Sequence, residues 1–162
     1  MAHRSARAVL SALAAAACLL GAGPPAPLEL VTLEGVRVSL APSAGRALVV
    51  HFWATWCPSC ADELPELVRA SAACAGAVEI AIVDVGDGAD DVRAFLVEHG
   101  ITAAPLLDPD GKAWRATVGG GGLPANLVWS ASARRSELGP RTPERWRELL
   151  AQLGCTAAPP AR

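Results

Sequence analysis

This 162-residue sequence lacks a large net charge of either sign. Its 14 basic and 16 acidic side chains leave a formal net charge of −2. The cationic side chains are scattered and lysine is nearly absent beside arginine, so no surface for nucleic acid is predicted. No internal repeat is apparent. The length favours one domain, and the part after about residue 28 is long enough to bury a core.

A long hydrophobic run is also missing. The N-terminal apolar stretch, residues 8–20, is shorter than the ~20 residues of a full membrane span. It follows a basic start and precedes Gly, Pro and Ala, a pattern typical of a secretory signal or a short anchor over residues 1–23. A cleaved signal is favoured over a stable transmembrane helix, while Cys18 after four alanines leaves lipid anchoring open. Either way, an exported domain is predicted.

Composition divides the rest of the chain into three parts. Residues 24–27 are rich in proline and are interpreted as a linker. The folded domain is predicted over residues 28–155, and residues 156–162 are predicted to form a disordered tail.

Two of the five cysteines, Cys57 and Cys60, stand three residues apart. The apolar, β-prone run 48–53 before them predicts a buried strand, and Pro58 suits the first position of a helix. Cys57 is therefore placed at a helix N-terminus, where unpaired N–H groups and the helix dipole favour a thiolate over a thiol. The pattern predicts a redox-active nucleophile.

Two structural alternatives to redox chemistry are a zinc half-site and an inert disulfide. The sequence lacks a second Cys-x-x-Cys and any His-x3-5-His pair, so it does not supply the four ligands of a closed zinc site. Closing so small a loop removes little chain entropy, which makes stabilisation alone a poor reason for an inert disulfide.

The cysteines that remain in the domain, Cys74 and Cys155, predict a structural disulfide. Export favours this bridge because disulfides persist in oxidising compartments. On the chain-entropy model it would stabilise the fold by roughly 4 to 5 kcal/mol. The alternative is two separate buried thiols that pack as small hydrophobic groups.

Periodicity and turn residues predict an α/β domain with a central mixed sheet flanked by helices and an N-terminal β-hairpin. The mixed sheet is predicted because several strands are separated by helices long enough to cross over the sheet. The predicted hairpin covers 28–33 and 36–40; further strands cover 47–53, 78–85, 105–107, 126–130 and 136–138; helices cover 58–73, 90–99, 112–118 and 143–153.

Four motifs together resemble the thioredoxin-like superfamily, and more closely its exported branch, the thiol-disulfide oxidoreductases of the ResA and TlpA type that include cytochrome-c-maturation thioredoxins. The resemblance covers about residues 28–153. The motifs stand in the family's order and are Phe52-Trp53-Ala54-Thr55-Trp56-Cys57-Pro58-Ser59-Cys60, Glu63-Leu64-Pro65, Asp108-Pro109-Asp110-Gly111 and Gly122-Leu123-Pro124.

The resemblance implies that Cys57 is the attacking thiolate and Cys60 the resolving thiol. Cys57 is expected to be exposed, while Cys60, a turn deeper in the helix, should be less accessible and keep a higher pKa. Glu63 follows on the same helical face, and the resemblance gives it an influence on the proton transfers of the cysteines. The alternative for Glu63 is an ordinary solvated carboxylate.

His51 departs from the family pattern, which has a buried Asp in thioredoxins and often Asn in the exported branch. A histidine six residues before Cys57 could act as a proton relay under the active site. It could equally be a core histidine bonded to the backbone.

The resemblance also implies a substrate-binding surface around the cysteine pair. Leu123 and Pro124 match the family's loop opposite the cysteines, so a cis proline is expected, with the Leu123 backbone free to pair with an extended substrate segment. Trp56 is expected at the rim, and Pro58 contributes beside it.

The predicted function is reduction of disulfides in partner proteins, apocytochrome c among the candidates, by a monomer that needs no cofactor or resident metal. A membrane redox donor would restore the dithiol, and the location would be the bacterial periplasm or the outer face of the cytoplasmic membrane. Two alternatives stay open: an oxidase of secreted proteins, and a copper-handling module that uses both active-site thiols and His51.

Overall fold

The structure is a computed structural model that describes residues 25–74, 76–130 and 133–155. The predicted export segment with Cys18, the first linker residue and the predicted tail lie outside the described residues. The strands are β1 (Leu28–Thr32), β2 (Arg37–Leu40), β3 (Ala47–Trp53), β4 (Val78–Val85), β5 (Leu106–Asp108), β6 (Ala125–Trp129) and β7 (Arg134–Leu138); the helices are α1 (Pro58–Ala73), α2 (Ala89–Glu98), α3 (Lys112–Val118) and α4 (Pro143–Gln152). No helix among these residues is both long enough and apolar enough to cross a membrane.

The strands form one seven-stranded mixed sheet in the order β2-β1-β5-β4-β3-β6-β7. β3 pairs with β4 and β4 with β5 in parallel, and the other neighbours are antiparallel. The two parallel steps run in the same direction across the sheet, so right-handed crossovers place α1 and α2 on the same face. The predicted mixed sheet and the N-terminal hairpin, β1–β2, are confirmed.

Each face of the sheet carries its own core. Alternation along β3 directs Val49 and Trp53 to one face, and Leu48, Val50 and Phe52 to the other. The first core is closed by α1, α2 and α4, and the second by α3. The central strand is therefore covered on both faces, which explains its almost unbroken apolar sequence.

A disulfide fastens α1 to the chain segment that follows α4. Cys74 is the residue at which α1 ends, and its sulfur lies 2.01 Å from that of Cys155. The bridge joins positions 81 residues apart in sequence. Because both helices lie on the same face of the sheet, the bridge closes one end of the α1–α4 pair.

Candidate active site

Cys57 lies at the junction between the central strand β3 and helix α1, directly before the first residue of the helix. Its backbone is extended, with φ −96° and ψ 104°, and it precedes the first helical residue, Pro58. The Cys57 carbonyl accepts the N–H of Cys60 at 3.1 Å, which begins the helical hydrogen bonding. The two sulfurs are bonded, with Cα atoms 5.2 Å apart. A Cys57 thiolate, once formed by reduction, would sit at the positive end of the α1 dipole.

The expectation that Cys57 is exposed is wrong. Cys57 is 4% exposed and Cys60 is 0% exposed, and both belong to the core on the α1 face. The Ser59 hydroxyl lies 3.6 Å from the Cys57 sulfur. Packing against the core and this hydroxyl hides Cys57, while Trp56 beside it is 67% exposed, as expected of a rim residue. Cys60 is less exposed than Cys57, as predicted, but the difference between the two is small.

The Leu123–Pro124 bond is cis and lies at the same end of the sheet as the cysteine pair. Ala125, the first residue of β6, pairs with Phe52 near the end of β3, which places the preceding loop beside the start of α1. Gly119 to Gly122 all have positive φ, which other residues adopt only with strain. Pro124 is buried, and its carbonyl accepts the N–H of Gly139 at 2.9 Å.

Glu63 is buried, not solvated, being only 4% exposed. Its Oε1 accepts a hydrogen bond from the indole Nε1–H of Trp146 at 2.8 Å, and its Oε2 has no partner among the described residues. Burial raises the pKa of Glu63 to about 7, although the Arg141 backbone amide, the indole donor and the Arg141 charge oppose the rise. Glu63 can therefore hold or release a proton near neutral pH, one turn beyond Cys60.

His51 is fully buried, and its partner is a side chain and not the backbone, so that part of the core interpretation is wrong. Its Nδ1 lies 2.9 Å from Oδ1 of Asn126, the residue opposite it on β6. Its Nε2 has no partner in the part of the chain that the structure describes, and its ring meets Trp146 edge to face at 5.9 Å. Burial lowers the pKa of His51 to about 4, with the Asn126 bond opposing. The ring is neutral at neutral pH.

The buried ring makes the stability of the fold depend on pH. An ordinary pKa near 6.5 in the unfolded chain and about 4 in the fold means that stability is full above pH 6.5 and is lost as pH falls towards 4. At pH 5 this group alone should cost about 2 kcal/mol relative to pH 7.5. We expect His51→Asn to remove this acid-side loss, as measured by denaturant unfolding at both pH values.

The same variant separates the two interpretations of His51. A core residue predicts that the pKa of Cys57 in the reduced protein is unchanged in His51→Asn, and a marked shift would instead favour a proton relay. Glu63 is unaltered in the variant and contributes in the opposite sense, because its raised pKa makes stability fall as pH rises from about 4.5 to about 7. Comparison of variant and wild type therefore isolates His51.

Sequence reasoning missed a pair of carboxylates that support the active-site loop. Asp87 Oδ2 accepts the N–H of Thr55 at 2.7 Å, and Asp84 Oδ1 accepts the N–H of Asp87 at 3.0 Å. Burial, reinforced by the charge of Asp87, raises the pKa of Asp84 to about 8. The available signal was an acidic residue near the end of a parallel strand whose other residues, apart from Glu79, are apolar. Trp146 was also missed as the donor to Glu63.

The ligands of the copper alternative are not grouped. His51 directs Nδ1 to Asn126, and no three histidine, cysteine or acidic side chains within residues 25–74, 76–130 and 133–155 come together in a way that could hold a metal ion.

A cysteine pair at the start of the helix that follows the central strand, with a cis proline before the next strand, defines the thioredoxin-like class of proteins. The AhpC/TSA family profile matches residues 23–122, well over half of the chain, and the chain belongs to this family.

The relatives agree with this class. The chain is 27% identical over 135 residues to thiol-disulfide oxidoreductase ResA of Bacillus anthracis, with 81% of this chain and 78% of that protein covered. It spans about half the length of several other curated relatives it matches.

Solved structures show the same fold. The dsbF structure from MTB has a TM-score of 0.70 at 23% identity and covers 78% of this chain and 95% of its own. A secreted Mycobacterium tuberculosis disulfide oxidoreductase, described as homologous to E. coli DsbE, has a TM-score of 0.63 at 25% identity, with 78% and 94% covered.

Proposed function

We propose that this protein is an exported thiol-disulfide oxidoreductase that exchanges the Cys57/Cys60 dithiol with disulfides in partner proteins. The observation that carries the proposal is the Cys57–Cys60 disulfide at the N-terminus of α1, at the same end of the sheet as a cis proline. The similarity to proteins named thiol-disulfide oxidoreductases supports it.

The reaction runs through a mixed disulfide. The Cys57 thiolate attacks one sulfur of the substrate disulfide, the substrate S–S bond breaks, and the other substrate sulfur leaves as a thiolate. Cys60, once deprotonated, attacks the Cys57 sulfur and releases the second substrate thiolate. Two electrons pass to the substrate, and the Cys57–Cys60 disulfide remains. A membrane redox donor then restores the dithiol.

Glu63 is the proton acceptor for Cys60 in this proposal. A carboxyl with a pKa of about 7 is ionised in a substantial fraction of molecules at neutral pH, so it can accept the Cys60 proton and later return it. Glu63 is buried one turn from the buried Cys60 thiol, on the same helical face.

The substrate lies across the rim of the buried cysteine pair. Trp56 supplies exposed aromatic surface, and Pro58 lies at the start of the helix. The Leu123 backbone before cis-Pro124 pairs with an extended substrate segment by strand addition. Because Cys57 is nearly covered, an extended or unfolded segment fits better than a folded surface.

A reducing role in an exported compartment is the direction that we favour, with apocytochrome c among the candidate substrates. The Cys74–Cys155 disulfide supports an oxidising surrounding, and one similar protein is described as secreted. The direction is tested by the Cys57/Cys60 reduction potential. A value far more positive than about −200 mV would favour an oxidase instead.

Trapping tests the function and names the substrate. In Cys60→Ala the resolving sulfur is missing, so we expect Cys57 to stay covalently attached to substrate when the variant is expressed in its native host. The adducts are identified by mass spectrometry after release with reductant. The matched control is the Cys57→Ser/Cys60→Ala variant, and adducts that persist there would contradict the proposal.

A further inference from the structure

We propose that Trp146 is a positioning residue for dithiol exchange, whose indole N–H fixes one oxygen of Glu63 and leaves the other free to take and return the proton of the cysteine pair. This inference rests on the function proposed above. It assigns to α4, at the far end of the sequence, a part in chemistry that takes place on α1.

The contact between the two side chains is buried on both sides. Trp146 is 1% exposed and Glu63 is nearly as covered, and their 2.8 Å hydrogen bond joins residues 83 positions apart. The indole nitrogen only donates, so it bonds to an acceptor oxygen and stabilises the ionised carboxyl over the protonated one. Oε1 is thereby occupied, while Oε2 makes no hydrogen bond within the described ranges. The backbone amide of Arg141 also lowers the pKa of Glu63, and it stays in place when the indole is replaced.

The indole itself is held from several sides. The His51 ring on β3 and the Trp146 ring are arranged edge to face with their centroids 5.9 Å apart, and the Arg141 guanidinium lies 5.4 Å from the Trp146 ring centroid. Leu149 and Leu150 of α4 are buried in the same core. The Cys74–Cys155 bridge described above keeps α1 and α4 together. Trp146 therefore has little freedom to turn away from Glu63.

The charged groups around this contact are few. Arg141, from the segment before α4, is the cation that acts on Glu63, and it also pairs with Glu137 of β7. Arg135 and Arg145 act on Arg141. His51 faces the contact from β3 but stays neutral above about pH 5, because its pKa is about 4. Between pH 5 and 9 Glu63 titrates at this contact, and Asp84 of β4, whose pKa is about 8, titrates near the active-site loop. Asp84 is unaltered in the variants below, so their comparison with the wild type isolates Glu63.

Removal of the indole N–H while an aromatic ring is kept should make Glu63 a weaker acid. We expect Trp146→Phe to raise the pKa of Glu63 by about one unit, since a hydrogen bond to a charged group is lost. The limb of the pH–rate profile that reports Glu63 should shift by the same amount. The profile is measured as the reaction rate of reduced protein with oxidised glutathione from pH 5 to 9, and the carboxyl pKa by ¹³C NMR.

Two variants separate positioning from packing. Trp114→Phe on α3 removes a buried indole nitrogen that has no partner among the described residues, from the opposite face of the sheet, and should leave the profile unchanged. In a Glu63→Gln background, Trp146→Phe should cause no further shift, because its effect passes through the carboxyl. An equal shift with and without the carboxyl would overturn the proposal.

A wild-type measurement covers the case in which Trp146→Phe does not fold. The indole ¹H–¹⁵N signal of Trp146 should move with pH at the midpoint that the Glu63 carboxyl shows, and this movement should vanish in Glu63→Gln. If the wild-type protein catalyses disulfide exchange but its indole signal does not move as the Glu63 carboxyl titrates, the inference is overturned. Wild-type protein that does not exchange at all instead contradicts the proposed function.

Discussion

Cys57→Ser is expected to abolish disulfide exchange, with a fall in rate on the order of a thousandfold or more, because loss of a nucleophile removes the covalent route and not one of its supports. The fold should persist, since the disulfide lost closes a very short loop and the Cys74–Cys155 bridge remains. The measurement is turnover of a model protein disulfide with a chemical reductant as the electron source.

Cys60→Ser is the matched comparison. It retains the attacking thiol, so one equivalent of mixed disulfide should form at a rate close to that of the wild type, while multiple turnover stops. A Cys57→Ser protein that turns over within about tenfold of the wild-type rate would show that another group attacks the substrate.

The Cys74→Ser/Cys155→Ser protein is expected to lose about 2–5 kcal/mol of unfolding free energy, because the bridge restrains a long loop in the unfolded chain. For a domain of this size the melting temperature should fall by about 10 °C or more. Denaturant unfolding with the Cys57–Cys60 pair oxidised in both proteins measures the difference.

The active-site pair provides the control for this prediction. Cys57→Ser/Cys60→Ser also removes one disulfide, but its loop is so short that the stability loss should be far smaller. Two double variants with equal losses, or a loss below about 0.5 kcal/mol for the long-range bridge, would contradict the chain-entropy account.

The local structure could be predicted because its signals are short-range. The apolar runs predicted β3 and β4 with the bounds that the structure has, and the helix predicted to begin at Pro58 and cover 58–73 matches α1. Most other bounds differ by one residue, and the largest difference at a strand start falls where the signal is weak. β7 begins at Arg134, two residues before the predicted strand, because its alternation is hidden among charged residues.

The chemistry of the site was harder to predict from the sequence because the residues that contact one another there are distant in sequence. Glu63 meets Trp146 across 83 residues, and His51 meets Asn126 across 75. No periodicity or spacing encodes such contacts, which arise when helices and strands pack. The burial of Cys57 has the same origin, because a helix N-terminus is exposed or covered according to what packs on it.

The two edge strands of the sheet, β2 and β7, affect how readily copies of this protein associate at high concentration. β7 lines one margin with Arg134, Arg135 and Glu137, and Arg37 begins β2 at the other. Charged side chains on an edge strand disfavour pairing with another chain, so the charges of β7 disfavour extension of the sheet by a second copy. Growth of the sheet into filaments is thus discouraged at the very strand that ends it.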